Sequence, residues 1–239
     1  MTLLGPKSLK RSLIVLASLM DRMKFMKLAI FDFDGTLADT FPLFVDTLGD
    51  LAERHNFRMP LQTDVDKLRG SSANEILREL QLPLWRVPKV LADFRDIMRQ
   101  RIDGIHPFDG IVDVLQTLAD QKITLAVATS NSLNNVEAVL GHAMISRFAA
   151  VECGATLFGK ARRLRRVLQA TQIEKANAIY IGDEIRDADA ARKIGIPFGA
   201  VAWGYTDLRA MLPLQPDAIF KTPQDLLTLA SPPKRSAAD

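Results

Sequence analysis

The segment Phe31-Asp32-Phe33-Asp34-Gly35-Thr36-Leu37 limits what this chain can fold into more than any other. The apolar run before it, Leu28 to Phe31, reads as a buried strand. Two carboxylates one residue apart end that run, and such a pair is poorly suited to packing. Side chains two apart on a strand face the same way, but Gly35 breaks the strand directly afterwards, which puts both acids on the loop at its carboxyl end. In open α/β sheets that edge is where ligands bind.

The rest of the chain repeats the strand-then-helix pattern. Asp109 is expected to cap a helix carrying Ile111, Leu115 and Leu118, and a strand from Ile123 to Ala128 follows. Next come a strand from Phe148 to Cys153 with a helix from Lys160, and a strand from Ala178 to Ile181 with a helix from Arg186 to Ile194. Phe198 to Ala202 and Ala218 to Phe220 read as the last strands, and Leu226 to Leu229 as part of a final helix. Alternation of this kind implies an α/β fold, a mostly parallel Rossmann-like sheet with helices on both faces.

Residues 41–104 break the alternation, because their periodicity is purely helical. Pro42 opens a helix with Phe44, Leu48 and Leu51 on one face, and Ser72-Ala73-Asn74-Glu75 fits a capping box ahead of Ile76, Leu77 and Leu80. A third helix is expected from Pro88 to about Ile102, with Leu91, Phe94 and Met98 aligned and Gly104 ending it. The domain reading is a core of residues 26–40 and 105–230, a small helical insert over 41–104, an N-terminal extension over 1–25 and a disordered tail over 231–239.

Four short segments come in a telling order. Phe31 to Thr40, FDFDGTLADT, resembles motif one of the haloacid dehalogenase superfamily. Leu125 to Asn131, a strand ending in Thr129, looks like motif two, and Phe158-Gly159-Lys160 looks like the motif three lysine. Tyr180 to Asp187, with Gly182-Asp183 and a second acid four residues on, looks like motif four. By this resemblance the residues 41–104 are the helical cap of the superfamily, which closes over a phosphate site and excludes water. The dehalogenases lack the second Asp of motif one, since halide departs without a proton, so Asp34 argues for the phosphatase and phosphomutase branches.

The resemblance implies a chemistry that the residues can support. A phosphate monoester and a carboxylate nucleophile are both anionic, so positive charge has to stand between them. Mg²⁺ accepts one or two carboxylates plus phosphate oxygens and water. Asp32 and Asp183 are the expected ligands, with the Asp34 backbone carbonyl, and Asp187 orients the others or binds through water. Asp32 is the implied nucleophile and Asp34 the acid and base. Lys160 and Thr129 are the implied catalytic partners on the phosphoryl oxygens. The Ser130 N–H and Asn131 complete the substrate site. Arg69, with Gly70 and Ser71, either reads the leaving group or is a solvated arginine before a helix. Glu184 is equally readable as a site residue or a solvated turn residue, and Thr129 alone is also readable as a helix cap.

Composition then excludes other classes. One cysteine, Cys153, rules out an intramolecular disulfide framework and reads as a buried structural thiol. His55, His106 and His142 share no metal-like spacing. The pI of about 9.1 does not make a nucleic-acid footprint. Residues 1–25 carry Lys7, Lys10, Arg11, Arg22 and Lys24 against Asp21, a net +4, so the remainder of a chain with net +3 is −1. Arg162, Arg163, Arg165 and Arg166 read together as the solvated face of an amphipathic helix. The apolar stretch Leu13 to Met20 is too short to span a bilayer. With Met23 and Met26 just ahead of the first strand, residues 1–25 read as a misassigned start or a loosely ordered, dispensable extension, with a targeting signal as the alternative.

The function expected is therefore Mg²⁺-dependent hydrolysis of a small phosphorylated metabolite by a cytoplasmic monomer or homodimer, with no nucleic acid or membrane as partner. The resemblance points to phosphoglycolate phosphatase-like hydrolases. A phosphomutase of the same superfamily and an inactive phosphate-binding regulatory protein are the alternatives.

Overall fold

The computed structural model describes residues 26–59, 69–71, 73–154 and 159–230. The expected sheet is present. Strands β1 (Leu28–Phe31), β2 (Thr124–Ala128), β3 (Phe148–Glu152), β4 (Ala178–Gly182), β5 (Phe198–Val201) and β6 (Ala218–Phe220) are all parallel, in the order β3-β2-β1-β4-β5-β6. Ile30 of β1 pairs with Ala126 on one side and Tyr180 on the other. The chain runs outward from β1 to β3 and then returns to the far side of β1. The order thus reverses between β1 and β4, and a crevice opens at their carboxyl ends.

Three helices, α1 (Phe41–His55), α2 (Ala73–Glu79) and α3 (Val87–Gln100), lie between β1 and β2 in the chain; the sheet is then covered by α4 (Ile111–Asp120), α5 (Leu133–Leu140), α6 (His142–Ile145), α7 (Lys160–Thr171), α8 (Ile185–Ile194) and α9 (Leu208–Met211). Strand alternation divides the core into two layers. Ala29, Phe31, Val127 and Ile181 pack with Leu115 and Leu118 of α4, whereas Leu28, Ile30, Ala126 and Tyr180 pack with Leu164 and Val167 of α7 and Ala191 of α8. A third cluster belongs to the inserted helices, with Leu48, Leu51, Phe57, Leu80, Leu82 and Val87 at its centre. His55 Nε2 meets Asp93 Oδ2 at 2.9 Å and ties α1 to α3. Met98 of α3 turns instead into the sheet-side core.

Several local expectations change. Asp109 does not cap α4; Gly110 takes that position with φ +78°, a left-handed conformation glycine adopts without strain, and Gln224 lies where a Cβ would stand. The third helix stops at Gln100, and Ile102–Gly104 form a separate 3₁₀ turn. Leu226 to Leu229 belong to a 3₁₀ segment, Pro223–Leu229, opened by a capping box between Thr222 and Asp225. Arg163 is not on the solvated face: it is 4% exposed, with its guanidinium against Gly154, while Arg162, Arg165 and Arg166 are exposed as expected. Ser72 of the capping box, Phe158, the extension 1–25 and the tail 231–239 lie outside the described residues. Among those described, no helix is long and apolar enough to cross a membrane.

Candidate active site

Asp32 and Asp183 stand one residue past the ends of β1 and β4, the two strands that flank the crevice. The Asp32 N–H donates to the Ile181 carbonyl at 2.9 Å, so the ladder continues far enough to fix the residue. Asp183 is fully buried and held at both oxygens. The Thr36 hydroxyl donates to Oδ1 at 2.8 Å and the Tyr205 N–H to Oδ2 at 2.7 Å. Gly35 makes this approach possible. Its φ is +73°, and a Cβ there would lie 2.3 Å from Asp183 Oδ2.

Asp187, in the first turn of α8, is also fully buried. Its Oδ2 accepts from the Glu184 N–H at 3.0 Å and its Oδ1 from the Tyr180 hydroxyl at 2.9 Å. The Lys160 ammonium, at the start of α7 and buried, forms ion pairs with both Asp32 and Asp187. Oxygens of Asp32, Asp183 and Asp187 all lie within 4.8 Å of one another. Burial, with the charges of Asp187 and Asp32, pushes the Asp183 carboxyl up to about 7. Asp187 is raised mainly by burial, against the pull of Lys160.

This cluster fits a divalent cation. Three carboxylates face one ammonium, an excess of two negative charges. Asp32 Oδ1 is buried and has no hydrogen-bond partner among the described residues, although carboxylate oxygens removed from water normally find one. An all-oxygen donor set suits Mg²⁺ or a similar hard cation. Asp187 is ion-paired with Lys160 as well as hydrogen-bonded at both oxygens, whereas the donors on Asp183 are neutral, so Asp187 is better suited to orienting its neighbours than to leading the coordination.

Asp34 is directed away from this cluster. Its two oxygens accept from the Asn131 side-chain amide at 2.9 and 3.1 Å. Burial first, and then the Asp32 charge, push its carboxyl up to about 6, with the Asn131 amide opposing. Its protonated and ionised forms are thus both accessible near neutrality. Thr129 is buried at the end of β2, its Oγ1 accepting from the Asn131 N–H at 3.0 Å. Ser132, not Thr129, caps α5. Asn131, expected to touch substrate, has its amide committed to Asp34.

Arg69 reaches the same opening but is tied to the backbone, donating to the Tyr205 carbonyl at 2.8 Å and the Gly204 carbonyl at 3.0 Å beneath the Phe41 ring. Glu184 is half-buried, caps α8 and pairs with Arg186. Cys153 is only partly buried, and desolvation pushes its thiol up to about 11, far from a reactive thiolate. None of the histidines joins the carboxylate cluster. Three residues escaped the sequence reading. Tyr205 holds Asp183 through its N–H and meets the Thr40 hydroxyl through its own. Arg186 keeps Nη1 buried without a hydrogen-bond partner among the described residues. Arg95 donates from α3 to the Ser130 carbonyl at 3.1 Å. Arg186 alone had a local signal, its place between Asp183 and Asp187.

A parallel sheet that brings strand-end carboxylates and a buried lysine together at its switch point has them where open α/β sheets bind their ligands. The sequence profile of the haloacid dehalogenase-like hydrolases matches residues 29–201. The phosphoglycolate phosphatase of Synechococcus elongatus is 32% identical over 203 residues, covering 84% of this chain and 96% of that protein. That of Agrobacterium fabrum is 33% identical over 206 residues, with 81% and 87% covered. A solved haloacid dehalogenase-like family hydrolase from Streptococcus pneumoniae superposes with a TM-score of 0.71 at 21% identity, covering 86% of this chain and 99% of that one, a likeness of fold. The chain belongs to the haloacid dehalogenase-like hydrolases, and it is a phosphatase of that family.

Proposed function

We propose that the protein hydrolyses a small phosphate monoester through an aspartyl-phosphate on Asp32, with Mg²⁺ held by Asp32, Asp183 and the Asp34 carbonyl. The observation that carries this reading is the convergence of three buried carboxylates with Asp32 Oδ1 unpartnered, beside an Asp34 turned toward an open cavity. Mg²⁺ held there would supply positive charge between the attacking carboxylate and the phosphoryl oxygens.

Asp32 attacks phosphorus and the bond to the leaving oxygen breaks. Asp34, held by Asn131, gives that oxygen its proton. Asp34 then takes a proton from the water that splits the phosphorus–oxygen bond to Asp32, which returns Asp32 to the carboxylate and Asp34 to its protonated form. Lys160, Thr129 and the Ser130 N–H stabilise the charge on the transferring group, and because they are fixed beforehand the site needs little reorganisation. Helices α1 to α3, within residues 41–104, act as a cap over a core of residues 26–40 and 105–230, and exclude water while the first bond breaks. The substrate is a small phosphorylated metabolite of the cytoplasm.

Chelation tests the metal assignment. EDTA is expected to abolish hydrolysis of an aryl phosphate, Mg²⁺ to restore it, and Asp183→Asn to raise the Mg²⁺ concentration required by tenfold or more. Full activity in EDTA removes the metal from the scheme.

A further inference from the structure

The scheme above leaves the alcohol of the ester undefined. A cavity of about 250 Å³ leads from Asp34, Ser130 and Asn131 into the space between α1, α2 and α3. Its inner wall is apolar, formed by Phe44, Leu48, Ile76, Leu77, Leu91 and Phe94. Ile76, Leu77 and Leu91 remain only partly buried although they pack on the central cluster of these helices, so they keep apolar surface that a bound group can cover. Water against such a wall finds few partners, and an apolar group that displaces it binds favourably.

The polar end is lined by Arg69, Arg95 and Arg186, each of which already holds acceptors of the protein. Arg69 is taken by the Gly204 and Tyr205 carbonyls, Arg95 by the Ser130 carbonyl, and two nitrogens of Arg186 by Glu184. Arg186 Nη1 is buried with no hydrogen-bond partner among the described residues, and the Arg186 charge already acts on Asp34. An ester ending in a carboxylate would keep that group at the arginine end of the cavity and leave the leucine and phenylalanine wall uncovered. A carboxylate pressed against the apolar wall itself is strongly disfavoured.

We propose that the leaving group is apolar: an alkyl or aryl chain that enters the cavity between α1, α2 and α3 while its phosphate sits on Asp32. This rests on the hydrolase reading given above and adds the substrate class. Asp34, at the junction of the two regions, stands where the ester oxygen joins the phosphate to the chain.

Straight-chain monoalkyl phosphates from methyl to octyl test it, because their alcohols are of nearly equal acidity and differ in the surface they bury. With Mg²⁺ present, kcat/KM is expected to rise about fourfold per methylene until the cavity is filled, and hexyl phosphate to exceed 2-phosphoglycolate by at least tenfold. A flat series, or phosphoglycolate outrunning hexyl phosphate, overturns the proposal. Leu77→Trp, which narrows the cavity, should lower the hexyl-to-methyl ratio; its melting curve reports whether it has folded, and the wild-type series decides the question without it. Alkylphosphonates, whose carbon–phosphorus bond is not cleaved, separate the two layers of the argument. A melting temperature that climbs with phosphonate chain length, with no ester hydrolysed, leaves the apolar site standing and removes the hydrolase. Hydrolysis with no chain-length trend in either measurement does the reverse.

Discussion

The carboxyl edge of the sheet and the cavity among α1, α2 and α3 adjoin at Asp34, yet opposite forces organise them. At the sheet edge, Asp32, Asp183, Asp187 and Lys160 are all at most 2% exposed, and specific donors fix nearly every oxygen. Dense packing beneath them holds like charges at a separation they would not adopt in water. Among the inserted helices the contacts are non-directional and apolar, and the cluster leaves space unfilled. The difference teaches that charge is buried where neighbouring strands fix the backbone, and open volume is left where side chains can change size without moving a strand.

That contrast breaks most visibly at Asp32. Asp32→Asn should lower kcat on any phosphate ester by on the order of 10⁴-fold or more and remove an acid-stable, hydroxylamine-sensitive phosphoenzyme. Trapping of that species in the variant would assign the nucleophile elsewhere. Asp34→Asn comes next: a loss of about 10²- to 10⁴-fold is expected on alkyl phosphates, and a clearly smaller loss on aryl phosphates, whose leaving oxygen needs less protonation. Equal losses on both would remove the proton transfer from Asp34.

On the other side of the comparison the currency is stability. Leu51, 1% exposed at the centre of the inserted cluster, should cost about 2–5 kcal/mol when cut to alanine, measured by denaturant titration. Its effect on kcat for a small aryl phosphate should stay within a few-fold, and a loss comparable with that at Asp34 would show the two regions to be one unit. The smallest effect belongs to Arg101→Ala. Its pair with Asp46 joins two exposed side chains at 2.6 Å, and exposed pairs contribute about 0–1 kcal/mol, so neither melting temperature nor kcat/KM should move appreciably.

Much of the sheet edge was legible in the sequence because the resemblance picked out Asp32, Thr129, Lys160 and Asp183, and three of these follow apolar runs that hydrophobic pattern marks. Asp32 follows Leu28 to Phe31, Thr129 follows a second apolar run, and Asp183 follows a third, so sheet topology alone brings them together. Tyr205 was not legible: it lies in a loop after β5, and its contacts reach Thr40, 165 residues away in sequence. Arg163 was misread for a different reason. Four arginines were assigned to one solvated face, whereas Lys160, Arg163, Leu164 and Val167 follow the helical repeat that defines the buried stripe of α7. Counting from the lysine would have put Arg163 inside. Asp109 and the last turn were misjudged because capping is decided by backbone angles at single residues, which composition does not fix.

Tyr205 has one further consequence. Its N–H holds Asp183, its hydroxyl meets Thr40 at the start of α1, its ring lies 5.1 Å from Phe41 and 6.3 Å from Phe44, and its carbonyl takes the Arg69 guanidinium. The inserted helices therefore have two kinds of position for descent with modification. Changes at Ile76, Leu77 or Leu91 reshape the cavity wall. Changes at Phe41, Phe44 or Arg69 are felt through one tyrosine by a carboxylate of the buried cluster, so the chain has its freedom to vary on α2 and α3 and its restraint around Tyr205.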